Sequence, residues 1–498
     1  MNHPSLISRR SLLRQSAFGF GSLAFAHLMA RDGLAGPAPV PHDPSPRPGH
    51  FQAPARSVIM LFQNGGPSQM DLFDPKPELR RRHGEKVAIK NAMQGNEEPL
   101  MASKFTFLAR GASGIEFSEL VPHLGSRVDD LCVIRSMFHE DPNHPGGTYM
   151  LCSCNRRPGR PSLGAWVVYG LGSENQNLPA YVCLRDPAVF HSGGSMQITN
   201  GWLPGVFRGT ELRTEGEPVL NLRPAPDTPR EAQQDSLRLL ARLNERHRRD
   251  YPDEAELDAR IRNYELAGRM QLAAAGELDL SGESGHTQRL YGLDDPVTAP
   301  YGRQCLMARR LVERGVRFVQ ILAPPPHNSW DHHGDIHNKL PQLCRQVDQP
   351  SAALIEDLKV RGLLGSTIVL WVGEFGRMPI SQGGTGRDHN PHGFTALLAG
   401  GGFKPGHVHG ATDDLGYRAV QDRVSVPDLM ATLLHQLGLD HVRLTHSNRV
   451  GVEESFTEPR ITGAQVIRSI VETRAVRSEE HTSELQSLAY LVCRLLLE

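Results

Sequence analysis

Histidine and aspartate are crowded into the segment from His327 to His337, which reads HNSWDHHGDIH. Four histidines and two aspartates in so short a stretch exceed what a chain with 23 histidines would give by chance. Asp331 and His333 lie two positions apart in a loop that contains glycine, so both side chains can turn toward one ion. Imidazole and carboxylate together suit Zn, Mn or Fe. We therefore predict metal ligands here; the alternative is a solvated loop whose histidines make ordinary hydrogen bonds.

A second polar cluster, GEFGR, begins at Gly373 and follows the most hydrophobic short run of the chain. An acidic residue in that position costs free energy unless it is paired or bound to a metal. Glu374 is therefore a predicted metal ligand. Arg377 is a predicted catalytic residue that would hold a substrate anion in a bidentate way. A plain ion pair between Glu374 and Arg377 is the alternative.

The third cluster, GRDHNPHG at positions 386–393, again brings acid and imidazole together in a glycine-rich loop. Asp388, His389 and His392 are predicted metal ligands, and Arg387 is a second candidate for binding an anion. Any one of the three clusters could be structural on its own. Three that converge on one edge of a sheet would be hard to explain without an ion.

Two further segments are weaker candidates. The sequence NGGPSQMD starts at Asn64, and either Asn64 or Asp71 could complete a metal shell, with the glycines allowing a close approach of a ligand. The sequence HEDPNHPGGTY starts at His139 and precedes a short predicted helix. Thr148, at the start of that helix, is a candidate catalytic hydroxyl facing an anionic group, with a plain cap or packing residue as the alternative.

These clusters must be positioned by strands, and the first and second clusters each directly follow a predicted strand. Short apolar runs with many β-branched residues predict strands buried on both faces of a sheet. Longer periodic segments between them predict helices. The predicted strands are 57–62, 131–135, 180–184, 318–322, 367–372 and 396–399, and the predicted helices are 227–250, 253–275, 301–313, 340–359 and 426–437.

This alternation predicts the α/β class, as a three-layer α/β/α domain with a central, mostly parallel sheet. Open sheets of this class place their sites at the carboxyl ends of the strands. The domain is expected over residues 57–476, and the helices at 227–275 are read as an insertion or cap.

Both ends of the chain differ from this domain. Residues 1–36 combine paired Arg9 and Arg10 with a short, weakly apolar stretch, which resembles a twin-arginine signal and predicts export to the periplasm or cell envelope. Residues 37–56 are a proline-rich linker. The segment RSEEHTSELQS, from Arg477, matches the in-frame translation of a common DNA sequencing adapter, so residues 477–498 are expected to be non-native.

Composition narrows the choice of partners. The formal net charge of −1 gives no support to nucleic-acid binding. No segment of the mature chain is long and apolar enough to predict a membrane span. Seven cysteines without a CxxC pair do not indicate a thiolate zinc site, and they are either buried thiols or disulfide partners.

The chain resembles the bacterial family DUF1501, which is usually described as sulfatase-like. The resemblance runs from about Ser57 to Gln465 and is carried by NGGPSQMDLFDPKP, PSLGAWVVYGLGSENQNLPAYVCL, WDHHGD, GEFGRMP and GRDH. It implies the alkaline phosphatase/sulfatase fold, with one or two divalent ions (Zn, Mn, Fe or Ca) at the strand ends and an ester substrate.

Carried over residue by residue, the resemblance implies that Asp331 and His333 are ligands of one metal. It also implies that Glu374 is an acidic ligand and that His389 or His392 is a late one. Asn64 stands where an aspartate ligand is usual. No Cys-x-Pro-x-Arg signature occurs, so a formylglycine nucleophile is not supported.

The sequence thus favours an exported, metal-dependent hydrolase acting on sulfate or phosphate esters of a small molecule or polysaccharide. A non-catalytic, metal-stabilised binding or scaffold protein of the same fold is the alternative. A phosphotransferase is a third reading, against which the export signal argues.

Overall fold

A computed structural model describes most of the chain from residue 44 onward. The described residues are 44–90, 95–186, 189, 191–216, 218, 229–251, 255–273, 278–448 and 450–472. The predicted signal peptide, the first part of the predicted linker and the predicted adapter-derived tail lie outside them. The boundaries of the domain therefore remain predictions.

A mixed sheet of nine strands forms the centre of the described structure. In chain order the strands are β1 (Ser57–Phe62), β2 (Leu131–Phe138), β3 (Tyr181–Leu184), β4 (Thr210–Leu212), β5 (Phe318–Leu322), β6 (Thr367–Val372), β7 (Phe394–Ala399), β8 (His407–His409) and β9 (Val424–Ser425). Their order across the sheet is β8-β2-β7-β6-β1-β5-β3-β4, and β9 pairs with β2. All six predicted strands are present.

The direction of the strands decides which loops meet. β1 pairs in parallel with β6 and β5, and β5 pairs in parallel with β3. β7 alone runs antiparallel, to both β6 and β2, so β2 points the same way as β1. The carboxyl ends of β1, β2, β5 and β6 and the beginning of β7 therefore lie at one edge of the sheet. The prediction of a mostly parallel sheet is confirmed.

Helices cover both faces of the sheet. They are α1 (Gln69–Leu72), α2 (Pro77–Arg81), α3 (Pro122–Gly125), α4 (His144–Ser153), α5 (Leu163–Leu171), α6 (Arg230–Asp250), α7 (Ala255–Ala273), α8 (Gly285–Leu290), α9 (Ala299–Glu313), α10 (Ile336–Val360), α11 (Val426–Gln436) and α12 (Pro459–Thr462). Ile59 and Leu61 of β1 share one hydrophobic core with α9 and α10. Because successive strand residues face opposite sides, Val58 and Met60 are buried on the other face, where α5 packs on β3 and β5. The predicted three-layer α/β/α class is confirmed.

Short two-stranded ribbons connect these layers. They pair Lys86–Lys90 with Glu97–Pro99, Phe107–Arg110 with Ile115–Ser118, Gly376–Arg377 with His389–Asn390, Ala411–Thr412 with Ala419–Gln421, and Thr445–Ser447 with Glu453–Ser455. The third ribbon joins the second and third polar clusters, pairing Arg377 with His389. In the part of the chain that the structure describes, no helix has both the length and the apolar character needed to cross a bilayer.

Candidate metal centre

Four side chains from distant parts of the sequence converge at the carboxyl edge of the sheet. They are His144, Asp331, His333 and His389, whose ligand atoms all lie within 4.8 Å of one another. Asp331 and His333 follow β5, and His389 precedes β7 in the ribbon with Arg377. The first and third polar clusters of the sequence therefore meet at this edge.

His144 is the first residue of α4, the helix that begins just after β2. In the sheet, β2 is separated by β7, β6 and β1 from β5, the strand that Asp331 and His333 follow. Pro145 occupies the first turn of that helix, where a missing N–H costs nothing. Gly147 allows close packing, since a Cβ atom there would lie 3.1 Å from the Phe375 ring and 3.4 Å from Cβ of Glu374. The start of α4 is thus held against the segment that follows β6.

The carboxylate of Asp331 is the centre of the group. Its Oδ1 lies 2.9 Å from Nε2 of His333 and 3.1 Å from Nε2 of His389, and its Oδ2 lies 3.1 Å from Nε2 of His144. The Nε2 atoms of His333 and His389 are 3.0 Å apart. Three imidazoles thus present the same ring nitrogen toward one carboxylate.

The outer nitrogen of each imidazole donates a hydrogen bond to an oxygen. Nδ1 of His144 donates to Glu374 Oε1 at 2.7 Å, and Nδ1 of His389 donates to the carbonyl of Pro142 at 2.6 Å. Nδ1 of His333 donates to Gln382 Oε1 at 2.5 Å. When such an imidazole is neutral, a proton on Nδ1 leaves Nε2 with a lone pair, which is how metal-binding histidines are commonly oriented.

One atom tests whether the group fits a metal. Nε2 of His144 is buried, and the one acceptor beside it is the carboxylate of Asp331, whose Oδ2 lies 3.1 Å away in an ion pair without hydrogen-bond geometry. A buried nitrogen without a partner costs free energy. Three imidazole nitrogens and one carboxylate oxygen form a donor set that suits Zn, Mn or Fe better than Ca, which prefers oxygen ligands. The residues therefore fit a transition-metal ion.

The electrostatics of the group concentrate negative charge on Asp331. Burial alone would raise the pKa of Asp331, but His144, His333, His389 and Arg377 outweigh burial and hold it far below its usual range. Burial opposes protonation of His144, yet the neighbouring carboxylates of Asp331 and Glu374 raise its pKa to about 9. Burial lowers the pKa of His389 to about 4, so that imidazole is neutral at pH 7.

Arg377 lies beside this group but its guanidinium is fully buried. It donates to Asp331 Oδ1 at 2.7 Å, to the Gly66 carbonyl at 2.8 Å and to the Arg387 carbonyl at 3.0 Å, and also to Gly65. These contacts tie the segments after β1, β5 and β6 together. The alternative of an ion pair between Glu374 and Arg377 is not seen among the described residues, and Arg377 pairs with Asp331 instead.

Arg387 is buried as well, and it contacts a residue that the sequence placed in the metal shell. Its Nε donates to Asp71 Oδ2 at 2.8 Å, while its other nitrogens reach the carbonyls of Met378 and Met101. Burial would raise the pKa of Asp71, but Arg387, Ser68 and Ser103 outweigh it and lower that pKa. The structure thus places Arg387 and Asp71 in a buried ion pair outside the four-residue group.

Glu374 is not one of the four residues of the group, but its carboxylate contacts one of them, His144. Both of its carboxylate oxygens accept from the Gly65 N–H, at 2.8 and 3.0 Å, and Oε1 also accepts from His144. Its backbone carbonyl accepts from Nε2 of His139 at 2.5 Å. In this geometry Glu374 orients His144.

The remaining predicted site residues lie around the group rather than in it. Asp388 is buried, with Oδ1 accepting from the His389 N–H at 2.8 Å and lying 3.9 Å from His333 Nδ1. His392 packs its ring against Tyr417 and is not one of the four. Asn64 and Thr148 are fully buried, and neither side chain has a hydrogen-bond partner. Thr148 lies one helical turn after His144.

His144 is the member of the group that sequence reasoning missed. The segment that contains His144 is predicted to matter for the hydroxyl of Thr148 and not for its histidine. The usable signal was a histidine directly before the proline and glycines of a helix start, after a predicted strand. All six described cysteines are free and buried, which agrees with the alternative of buried thiols and not with that of disulfide partners.

Comparisons with known proteins agree with the resemblance. The family model described as "Protein of unknown function (DUF1501)" matches residues 55–470. No curated protein matches the sequence.

Several solved structures match this chain at low identity and low TM-score. The PsFucS1 sulfatase from Pseudoalteromonas sp. has 13% identity and a TM-score of 0.33, covering 78% of this chain and 68% of its own. The phosphonate monoester hydrolase SpPMH from Silicibacter pomeroyi has 13% identity and a TM-score of 0.33, covering 86% of this chain and 78% of its own. Alkaline phosphatase from the Antarctic bacterium TAB5 has 8% identity and a TM-score of 0.29, covering 78% and 99%. Similarity at this level says nothing about what this chain acts on.

Proposed function

The chain belongs to DUF1501, a family of proteins of unknown function, and we propose that it is a metal-dependent hydrolase of sulfate or phosphate esters. The observation that carries the proposal is the convergence of three Nε2 atoms and one carboxylate at the carboxyl edge of the sheet. The group is open to solvent on one side, because the side chain of His333 is 36% exposed and that of Asp331 is 25% exposed. An ester can approach a centre that is open in this way.

His144, Asp331, His333 and His389 would hold the ion. A divalent metal bound there would polarise an ester oxygen and lower the pKa of coordinated water toward neutrality. The chain's own residues prepare the centre: Glu374, Pro142 and Gln382 hold the three imidazoles in one tautomer, and Arg377 compensates the charge of Asp331. Preorganisation of this kind is what fixes the geometry of metal ligands.

Thr148 remains the proposed nucleophile. Its hydroxyl is buried, has no protein partner and lies on the same face of α4 as His144, four residues earlier. A buried hydroxyl without a partner costs free energy, which a substrate or water oxygen could recover. Thr148→Val should keep the bound metal and lose turnover; equal loss of both would make Thr148 a structural residue.

The metal proposal is tested on the full chain with a matched pair of histidine variants. Elemental mass spectrometry should find Zn, Mn or Fe in the wild type, and aryl sulfate and aryl phosphate esters should be screened in parallel. His333→Ala should lose most of the metal and the turnover. His392→Ala, which changes a nearby histidine outside the group, should retain both. A folded wild type that stays metal-free after incubation with these ions would overturn the proposal.

A metal-stabilised binding or scaffold protein is the second candidate, and one observation favours it. Arg377 and Arg387, the residues expected to bind a substrate anion, are both buried and donate to protein oxygens. Stoichiometric metal without turnover on any ester would support this reading over the hydrolase.

We also propose that the protein works outside the cytoplasm, because of the twin-arginine pattern at Arg9 and Arg10. Fractionation of cells that express the full chain should find it in the periplasm or envelope. Arg9→Lys combined with Arg10→Lys should keep it in the cytoplasm. An unchanged distribution would refute export by this route.

A further inference from the structure

His139 is a buried histidine that lies outside the four-residue group of the candidate metal centre. It follows β2 directly and stands in the loop that leads to His144, the first residue of α4. An imidazole buried in this way costs free energy unless its ring nitrogens have partners. The partners of His139 therefore decide what the residue does.

The two ring nitrogens of His139 contact two different segments of backbone. Nδ1 accepts from the N–H of Asp141 at 3.1 Å, and Nε2 lies 2.5 Å from the carbonyl oxygen of Glu374. A backbone N–H can only donate and a carbonyl can only accept, so both hydrogen bonds form only when the proton is on Nε2. His139 is thus a neutral imidazole that bridges the loop after β2 and the segment after β6.

The Asp141 end of this bridge belongs to the loop from which α4 begins. The carboxylate of Asp141 accepts from the N–H of Asn143 at 2.9 Å, and Asn143 is the residue just before the helix. Gly146 in the first turn lies against the same carboxylate, because a Cβ atom there would overlap Asp141 Oδ2. The loop therefore holds the imidazole of His139 in place close to the start of α4.

The Glu374 end of the bridge reaches the hydrogen-bond partner of His144. Oε1 of Glu374 accepts from Nδ1 of His144 at 2.7 Å, while the backbone carbonyl of Glu374 accepts from His139. Glu374 is thus bound to both histidines, to one through its side chain and to the other through its backbone. A shift of this backbone would move the carboxylate that orients the imidazole of His144.

Packing leaves the ring of His139 little freedom to turn away from Glu374. It meets the ring of Phe394 edge-on, with centroids 5.6 Å apart, and its centroid lies 6.4 Å from that of Phe375. Phe375 also packs against His144, with ring centroids 5.0 Å apart. The ring of His139 is therefore fixed by aromatic neighbours as well as by its two hydrogen bonds.

We propose that His139 is a positioning residue of the metal centre, which holds the backbone of Glu374 and through it the imidazole of His144. This role rests on the proposed function, because it assumes the bound ion. Losing the outer partner of a metal-bound histidine commonly weakens metal binding about 10–100-fold. His139 acts one contact further out than Glu374, so a loss of about tenfold, at the lower end of this range, is expected when its bond to the carbonyl is removed.

The affinity of the full chain for Co²⁺ tests this role. Co²⁺ suits sites of imidazole and carboxylate, and its visible absorption depends on its ligands. In His139→Asn the short amide can still accept from Asp141 but no longer reaches Glu374, so Co²⁺ should bind about tenfold more weakly than in wild type. In His139→Gln the longer amide can still donate to the Glu374 carbonyl, and most of the affinity should remain.

His441→Asn is the matched control. His441 is also buried, and its described hydrogen bond joins Nδ1 to Oγ1 of Thr457, outside the candidate centre. This variant should bind Co²⁺ with wild-type affinity, whatever its melting temperature. Wild-type affinity in His139→Asn, or equally weak binding in His139→Asn and His139→Gln, would overturn the role of His139 alone. A wild type that binds no Co²⁺ would overturn the metal centre as well.

A double-mutant cycle tests whether the effect passes through Glu374. His139→Asn and Glu374→Ala should each weaken Co²⁺ binding. The double variant should bind little more weakly than Glu374→Ala alone, because His139 then has no carboxylate left to position. Residues that act independently would instead add their effects, and additive losses would contradict this path from His139 to His144.

Discussion

Asp331 illustrates how one residue can take part in both structure and chemistry. Its carboxylate lies within 3.1 Å of three imidazoles and accepts from Arg377 at 2.7 Å. A bare carboxylate so placed is costly unless charges and hydrogen bonds compensate it. The same residue therefore anchors the loop after β5 and offers an oxygen to an ion. For this reason His333, which is more exposed and has fewer partners, is the better position at which to test metal binding.

The ion pair between Asp71 and Arg387 yields a prediction about stability. Both side chains are fully buried. Asp71→Asn should destabilise the fold by about 3–5 kcal/mol, because it leaves a buried guanidinium without its counter-charge. Chemical denaturation measures this loss. Glu78→Gln, which removes an exposed pair with Arg81, is the control and should leave the midpoint unchanged.

The difference in stability between wild type and Asp71→Asn should depend on pH, because the pKa of Asp71 is lowered in the folded state. The folded state binds a proton less readily than the unfolded state, so this contribution to stability is complete above the ordinary aspartate pKa near 3.8. It is lost as pH falls further, through the folded-state pKa. The gap between wild type and Asp71→Asn should therefore stay constant from pH 7 to about 4 and narrow below that. A gap that widened in acid would contradict the assignment.

The loop that leaves β1 shows how secondary-structure elements position the centre. Gly65 has φ +114°, and a Cβ atom there would lie 2.6 Å from the Asn328 carbonyl and from the backbone nitrogens of Trp330 and Asp331. The same residue donates its N–H to Glu374. The loops after β1, β5 and β6 thus touch through backbone atoms, which leaves no room for a side chain.

Gly65→Ala should therefore displace the segment that carries Asp331 and lower metal affinity. Gly84→Ala is a matched control, because Gly84 has φ +85° and a Cβ atom there would meet nothing within 4 Å. Backbone strain should destabilise both variants by about 1 kcal/mol, but only Gly65→Ala should lose metal. Metal content and melting temperature, measured side by side, separate the clash from the strain. Equal metal content in the two would argue against this role of Gly65.

At the scale of the molecule, the candidate centre joins distant parts of the chain. His144 follows β2, Asp331 and His333 follow β5, and His389 precedes β7. An ion bound to all of them holds these strand ends together only in the folded state, so binding adds to the free energy of unfolding.

Removing the metal should therefore destabilise the whole domain. Metal a thousand-fold above its dissociation constant is worth about 4 kcal/mol, so treatment with a chelator should lower the melting temperature by several degrees. Zn, Mn or Fe should restore it in wild type and His392→Ala, and should have little effect in His333→Ala. A melting temperature that does not respond to chelation or to added metal would count against the centre.

Much of this protein could be predicted from its residues alone. Apolar runs such as 57–62, 318–322 and 367–372 became strands with those bounds, because burial on both faces leaves a clear local pattern. The alternation with helices gave the α/β class. The density of imidazoles and carboxylates in short loops predicts Asp331, His333 and His389 as ligands. The same loops also predict ligands that lie outside the four-residue group, namely Glu374, Asp388 and His392.

Only the tertiary structure decided which side chains meet. The reversed direction of β7 brings the loop before it, rather than after it, to the same edge as β5 and β6. His144 joins the group from a remote helix start, while Arg377 and Arg387 turn inward to protein oxygens. Spacing along the chain reports which residues are near in sequence. Strand direction, burial and the satisfaction of buried charges depend on partners hundreds of residues away, and these determined whether each candidate lies in the centre, supports it or stabilises the fold.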